Sequence, residues 1–371
     1  MSHSKLVCIF LSGDVMTGRG VDQILPHPGD PWLQEPVTSD AREYVRLAET
    51  VNGPIERPVR FDYIWGDALR ELQQPGTDVR IINLETSVTS SDDFWLAKGV
   101  HYRMHPRNIG CITAAHIDCC CLANNHVLDL GFKGLEETLH ALDLAGVAHA
   151  GAGENRDQAA SPAALDVSGK GRVLVFSFGL TSSGIPSEWA ATRVRPGVNL
   201  LEDLSEDTVR RVTRRLHRVK RPGDIAVASI HWGSNWGHDV PGDQVNFAHR
   251  LIDAGADIVH GHSSHHVKTI EVYRDRLILY GCGDLLNDYE GIGGYEEFRS
   301  DLALAYLATV DPRRGRLVGV RLVPMQVRKF RLNRASDADA KWLCDLVSEL
   351  GAPSGTRAQL ESDNSLTLRW G

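Results

Sequence analysis

Asp14, Glu85, Asn125, His231, His262 and His265 each stand at or just beyond the end of a short apolar run. The runs read VCIFLSGD, VRIINLE, CCCLANNH, IAVASIHWG and ADIVHGHSSH. Carboxylate, amide and imidazole supply oxygen and nitrogen donors without thiolate. Such a set suits Mn, Fe, Zn or Mg rather than a structural cysteine–zinc knot. Each run has the character of a buried strand, and side chains at the C-terminal ends of strands face the crevice where α/β proteins bind ligands. Ligands spread over five strand ends need a folded sheet to collect them. As a set they predict a centre for one or two divalent ions, able to clamp oxygens and acidify a bound water.

Other side chains fall around this set. Arg19, five residues after Asp14, is a fork donor for an anionic group, and Arg103 in GVHYRMHPRN is a second candidate. Asn124 and Asp284 are expected to support the ligands or touch substrate, with Asn287 and Asp288 beside them in GDLLNDYE. His101 and His105 read as loop histidines. His265 and His266 compete for one role; strand alternation would turn them to opposite faces, and His265 is preferred. Trp232 and Trp236 are equally suited to a pocket mouth or to packing.

The elements that must position these groups alternate between short apolar runs and amphipathic segments, which predicts an α/β fold. Helices are expected over Phe132–Ala145, Asp203–Lys220, Gly242–Ala254 and Asp337–Leu350. A hairpin is expected over Val267–Val272 and Arg276–Tyr280, and antiparallel strands over Leu302–Val310 and Leu317–Val323. The run RRVTRRLHRVKR (Arg210–Arg221) places Val212, Leu216 and Val219 at helical spacing, so its charges read as a solvated helix face. The α/β pattern starts at Lys5; Pro26–Arg60 reads as an insertion near the mouth of the site.

Composition bounds the function. The chain has 371 residues, 42% hydrophobic and 24% charged, with a formal net charge of −8. That balance argues against a general nucleic-acid binder, which needs a basic face to neutralise phosphates. No apolar run approaches the ~18 residues of a membrane span. The N-terminal run is too short for a signal peptide and reads as the first strand. The 7 cysteines, three of them adjacent at Cys119, Cys120 and Cys121, read as reduced core residues. This fits a cytoplasmic protein.

SGDVMTGRG, NLE, LANNHVLDLGFKGLEETLHALDLAG, HWG, GHSSH and LILYGCGDLLND resemble the bacterial capsule-synthesis CapA family. That family is linked to poly-γ-glutamate production and is itself similar to the calcineurin-like metallophosphoesterases. The resemblance runs from about Val7 to about Tyr289. It implies a four-layer α/β/β/α sandwich with mixed sheets over residues 1–330, the 26–60 insertion included, with 331–371 as an extension packed on the same domain. It implies that Asp14 and His265 hold one ion, that Asn125, His231 and His262 hold the other, and that Glu85 bridges them. His126 is left as proton donor. Met16 stands where the wider superfamily carries a ligating histidine, so the number of ions stays at one or two. The implied activity is that of a metal-dependent phosphoesterase using metal-bound hydroxide on a small anionic or polyglutamate-like substrate. Two alternatives accompany it: an accessory factor in poly-γ-glutamate or capsule polymer synthesis that binds without turnover, and a metal-assisted γ-glutamyl amide hydrolase.

Overall fold

A computed structural model describes residues 6–74, 76–96 and 98–371; Lys5, where the expected α/β pattern starts, lies outside them. From the N-terminus, β1 (Val7–Val15), β2 (Val79–Leu84), β3 (Cys119–Cys121) and β4 (Ala148–Ala150) pair side by side in parallel. Five helices lie between or after them: α1 (Arg19–Ile24), α2 (Arg42–Asn52), α3 (Ala68–Leu72), α4 (Gly110–Thr113) and α5 (Gly131–Leu144). The segment expected as an insertion thus contributes α2. The chain then crosses to a second sheet through α6 (Arg156–Ala159). This sheet holds β5 (Ala163–Val167), β6 (Gly171–Gly179), β7 (Ile225–His231), β8 (Ile258–His262), β9 (Ile270–Tyr273) and β10 (Arg276–Leu279). Helix α7 (Glu206–Val219) precedes β7, and α8 (Gly242–Asp253) precedes β8.

Strand β11 (Asp284–Leu286) returns to the first sheet beside β1. There β12 (Leu302–Asp311), β13 (Arg316–Val327) and β14 (Leu332–Arg334) follow as antiparallel neighbours. Helix α9 (Asp337–Gly351) leads to β15 (Thr356–Leu360) and β16 (Leu366–Trp370), and β16 pairs with β13. The large sheet therefore has ten strands and the small one six, both mixed. The 274–275 turn of the β9–β10 hairpin places both Arg274 and Asp275 at positive φ, as a two-residue turn of matching twist requires.

Three apolar clusters mark the interfaces of four layers. One joins the inner faces of both sheets and includes Ile9, Leu11, Ile81, Val175, Val227 and Ile258. Another joins the outer face of the large sheet to α1–α5, and a third joins the outer face of the small sheet to α7 and α8. The adjacent cysteines illustrate the two-residue period: Cys120 points to the helix side, Cys119 and Cys121 to the space between the sheets. All seven thiols are free. Among the described residues no helix is long and apolar enough to cross a membrane.

Candidate metal centre

The C-terminal ends of the parallel strands in both sheets converge on one spot. In the large sheet Asp14 of β1 lies opposite Asn83 of β2 on one side and Asp284 of β11 on the other. In the small sheet His231 of β7 lies opposite His262 of β8. The β1–β2 register shifts between Leu11 and Asp14, and such an irregularity re-aims the side chain that follows it. Gly13 sits in this shift. A Cβ there would stand 1.7 Å from the Gly283 carbonyl oxygen, so only glycine lets β1 reach β11 this closely. The sheets are tied here by His260, whose Nε2 lies 2.7 Å from the Ser12 carbonyl.

Asp14, Glu85, His231 and His262 are all buried. The ligand atoms of Asp14, His231 and His262 lie within 4.8 Å of one another, and so do those of Asp14, His265 and Asp284. Asn125 Oδ1 is 2.9 Å from His231 Nε2. Glu85 Oε1 is 4.0 Å from the same nitrogen and 3.7 Å from His126 Nε2. Asn83 donates to Asp14 Oδ1 at 2.6 Å, and the Ser263 amide donates to Asp14 Oδ2 at 3.2 Å. Ser263 does so from a φ of 101°, a conformation that non-glycine residues adopt at a cost. All six residues expected as ligands thus meet in one place. Asp284, expected as a support, stands beside Asp14 and His265, with a ligand atom within 4.8 Å of theirs.

The electrostatics show what this cluster is short of. Burial and then the neighbouring Asp284 carboxylate push Asp14 up, to about 7. Glu85 is pushed well above the carboxylate range by burial and by Asp14. Burial drives His231 and His262 well below the ordinary histidine value. Burial opposes charge on His265 too, but the Asp284 carboxylate overrides it and holds His265 above its usual value. Buried acids that cannot all ionise, facing imidazoles held neutral, form a donor set that a divalent cation fits by charge and by ligand type.

Beside the cluster His126 Nδ1 lies 2.6 Å from Asp129 Oδ2, which leaves Nε2 facing Glu85. Burial lowers His126 to about 3, so its imidazole is neutral. Asp129 resists burial and stays below its ordinary value through His126 and Lys98. The Tyr102 ring stacks on His126 at 3.8 Å. The polar members of the block NNHVLDLG and its glycine each have a definite place. Asn124 donates to Asn83 Oδ1 and the Leu84 carbonyl and accepts from the His126 amide. Gly131, at φ 68°, opens α5 where a Cβ would strike the Asp93 carboxylate.

A cavity of about 760 Å³ opens onto this chemistry, walled by Arg19, Tyr102, His126, Trp236, His265 and Tyr289 among others. Arg19 reaches the cavity wall, but its guanidinium is held by Asp288 and by Tyr44 at 3.0 Å, with Glu35 at 3.4 Å. Arg103 does not join the site. Its guanidinium is spent on Asp92 and on the carbonyls of Ser91, Asp30 and Trp32, so it ties loops together. The two tryptophans divide: Trp236 stacks on Tyr295 at the cavity, whereas Trp232 is buried against Phe247. His266 stacks with Phe298, and neither His265 nor His266 lies in a strand. His101 bonds the Trp95 carbonyl, and His105 caps a short turn.

Sequence reasoning missed Asp129, Lys98 and Tyr102. Only Asp129 left a signal, the three-residue spacing to His126 within NNHVLD. Lys98 contacts Asp129 and the Asn125 carbonyl from a loop that carries no motif.

A Mycobacterium tuberculosis protein named "Probable polyglutamine synthesis accessory protein" is 51% identical over 368 residues, covering 99% of this chain and 97% of its own. The Bacillus anthracis capsule biosynthesis protein CapA is 25% identical over 287 residues, 77% of this chain and 61% of that protein. A crystal structure of a Mycoplasma pneumoniae protein described as a novel phosphatase aligns over 91% of this chain and 96% of its own, at 8% identity and a TM-score of 0.48. Residues 8–289 match the family described as bacterial capsule synthesis protein PGA_cap, and the chain belongs to that family.

Proposed function

We propose that this chain is a metal-dependent hydrolase serving capsule- or polyglutamate-type polymer synthesis, most readily as a phosphoesterase. The observation that carries the reading is the placement of His126 Nε2 at 3.7 Å from Glu85, at the margin of a buried carboxylate–imidazole cluster, with its other nitrogen fixed by Asp129. Asp14, Glu85, Asn125, His231 and His262 would hold one divalent ion, and Asp14, His265 and Asp284 offer a second position. A bound ion would supply positive charge for the developing anion and acidify water. The protein's own groups do the rest. Asp129 fixes the Nδ1–H tautomer, so Nε2 faces the reacting atoms. An anionic substrate group entering beside His126 raises its proton affinity, so that Nε2 takes up a proton from solvent and can then hand that proton to the leaving group. Tyr102 stacks on the ring and keeps it in plane.

A second reading, an accessory binding role without turnover, is favoured by one observation. Arg19, the cation on the cavity wall nearest this chemistry in sequence, is already matched by Asp288 and Glu35. The word "accessory" in the name of the mycobacterial relative points the same way. The experiment is hydrolysis of phosphomonoesters, phosphodiesters and γ-glutamyl peptides with added Mn²⁺, comparing the wild type with His126→Ala. Turnover that falls about 100-fold or more in the variant at unchanged metal content supports the hydrolase, since a positioned acid–base group contributes on that order. The bond cleaved then names the activity. Absence of turnover in metal-loaded wild type selects the accessory role.

A further inference from the structure

A second cleft, of about 730 Å³, lies on the outer side of the small sheet. Five arginines border it, Arg156 on α6 and Arg211, Arg214, Arg215 and Arg218 on α7, against a single bordering carboxylate, Glu202. This concentration stands out in a chain whose net charge is −8. Arg211 is engaged by Glu202 at 3.2 Å, and Arg210, which does not border the cleft, by Glu206 and Asp207. The guanidinium groups of Arg156, Arg214, Arg215 and Arg218 have no hydrogen bond or ion pair among the described residues. Arg215 is half-buried. Burial loosens its proton first, the Asp157 carboxylate holds it back in part, and Arg218 and Arg156 loosen it further, so the cleft gathers positive charge that Asp157 and Glu202 only partly offset. The sequence pattern predicts a solvated helix face here. Arg210, Arg211, Arg214 and Arg218 are indeed exposed, and the fold in addition lays part of that face along a cleft that Arg156 also borders.

We infer that this cleft binds an extended acidic peptide, independently of the metal centre. Positions 211, 214, 215 and 218 form one stripe of α7 that rises about 10 Å over seven residues. Same-side residues of an extended chain recur every ~7 Å, so carboxylates along such a chain meet successive arginines. The planar fork of arginine matches a carboxylate with two hydrogen bonds. The floor decides between polyanions. Phe178, Leu200, Leu201 and Val212 are apolar. They suit the methylene stems of glutamate, whereas a polyphosphate has no group to place there.

The test uses the full chain in EDTA, so that the metal centre takes no part, with a fluorescein-labelled oligoglutamate read by fluorescence anisotropy. The Arg214→Gln/Arg215→Gln double variant is expected to weaken binding about tenfold or more, as loss of charge-assisted pairs should. Arg156→Gln, at an exposed position on the opposite wall, is expected to weaken it severalfold and decides the matter should the double variant misfold. Arg210→Gln, whose guanidinium is engaged elsewhere, should leave affinity within about twofold. Unchanged affinity in the Arg156 and Arg214/Arg215 variants overturns the proposal. So does binding that needs metal, or inorganic polyphosphate or single-stranded DNA competing as well as the peptide.

Discussion

Asp129 and Asp14 act on neighbouring groups by different physics, and single substitutions separate them. Asp129→Asn keeps the shape but removes the anion that fixes the His126 tautomer. Turnover is expected to fall by about 100-fold or more while bound metal, measured by elemental analysis, stays at the wild-type level. A purely structural Asp129 would instead lower thermal stability and metal content together. Asp14→Asn removes one of the buried, mutually repelling acids while its Oδ1 can still accept from Asn83. The variant should lose Mn²⁺ binding and yet melt higher than wild type in EDTA. Each kcal/mol of relief is worth about 2 °C in a chain of this size. A lower melting temperature in EDTA would refute the view that the cluster is strained without a cation.

At the level of elements, the site depends on β1 lying between β2 and β11 with a shifted register. Gly13→Ala places a methyl carbon against the Gly283 carbonyl. The strands must part, at a cost of about 1–3 kcal/mol for overpacking in a closed core. Because Asp14 follows directly, the variant should lose metal affinity along with stability, both read by Mn²⁺ titration followed by thermal melting. Retained affinity would show that β11 yields without moving Asp14. The helix that follows the NNHVLDLG block works in the same way. Asn124 stitches the loop to β2, and α5 starts only after His126 and Asp129 have been set.

Across the whole molecule, stability and metal binding are linked through protons. In the metal-free protein Asp14 and Glu85 bind their protons more tightly when folded than when unfolded. The stability they lend is complete at low pH and is lost as pH rises through the folded value, about 7 for Asp14. His265, held above its usual value by Asp284, acts in the same direction. The neutral buried histidines His231 and His262 act oppositely, but only below the ordinary histidine value of about 6.5. Between about pH 6.5 and about pH 8 the carboxylates are therefore in control. The melting temperature in EDTA should fall across that interval, and the gain on adding Mn²⁺ should grow. A flat or rising profile in EDTA would contradict the raised acids.

The six metal-type side chains were legible in the sequence because strands end where apolar runs end. A residue in that place faces the crevice whatever the rest of the fold does. The α7 and α8 helices were legible from their periodicity, and Cys119–Cys121 from the two-residue alternation of a strand buried on both faces. What the tertiary structure alone decided are contacts between residues far apart in the chain. Arg19 meets Asp288 across 269 positions and is neutralised, so its charge in the sequence said little about its charge in the cavity. Arg103 went to loop carbonyls for the same reason. Asp284 became a candidate ligand because β11 pairs with β1, and the arginines of α7 became a cleft because α6 packs opposite them. Local pattern records which face a residue takes; only packing records which charge waits on the other side.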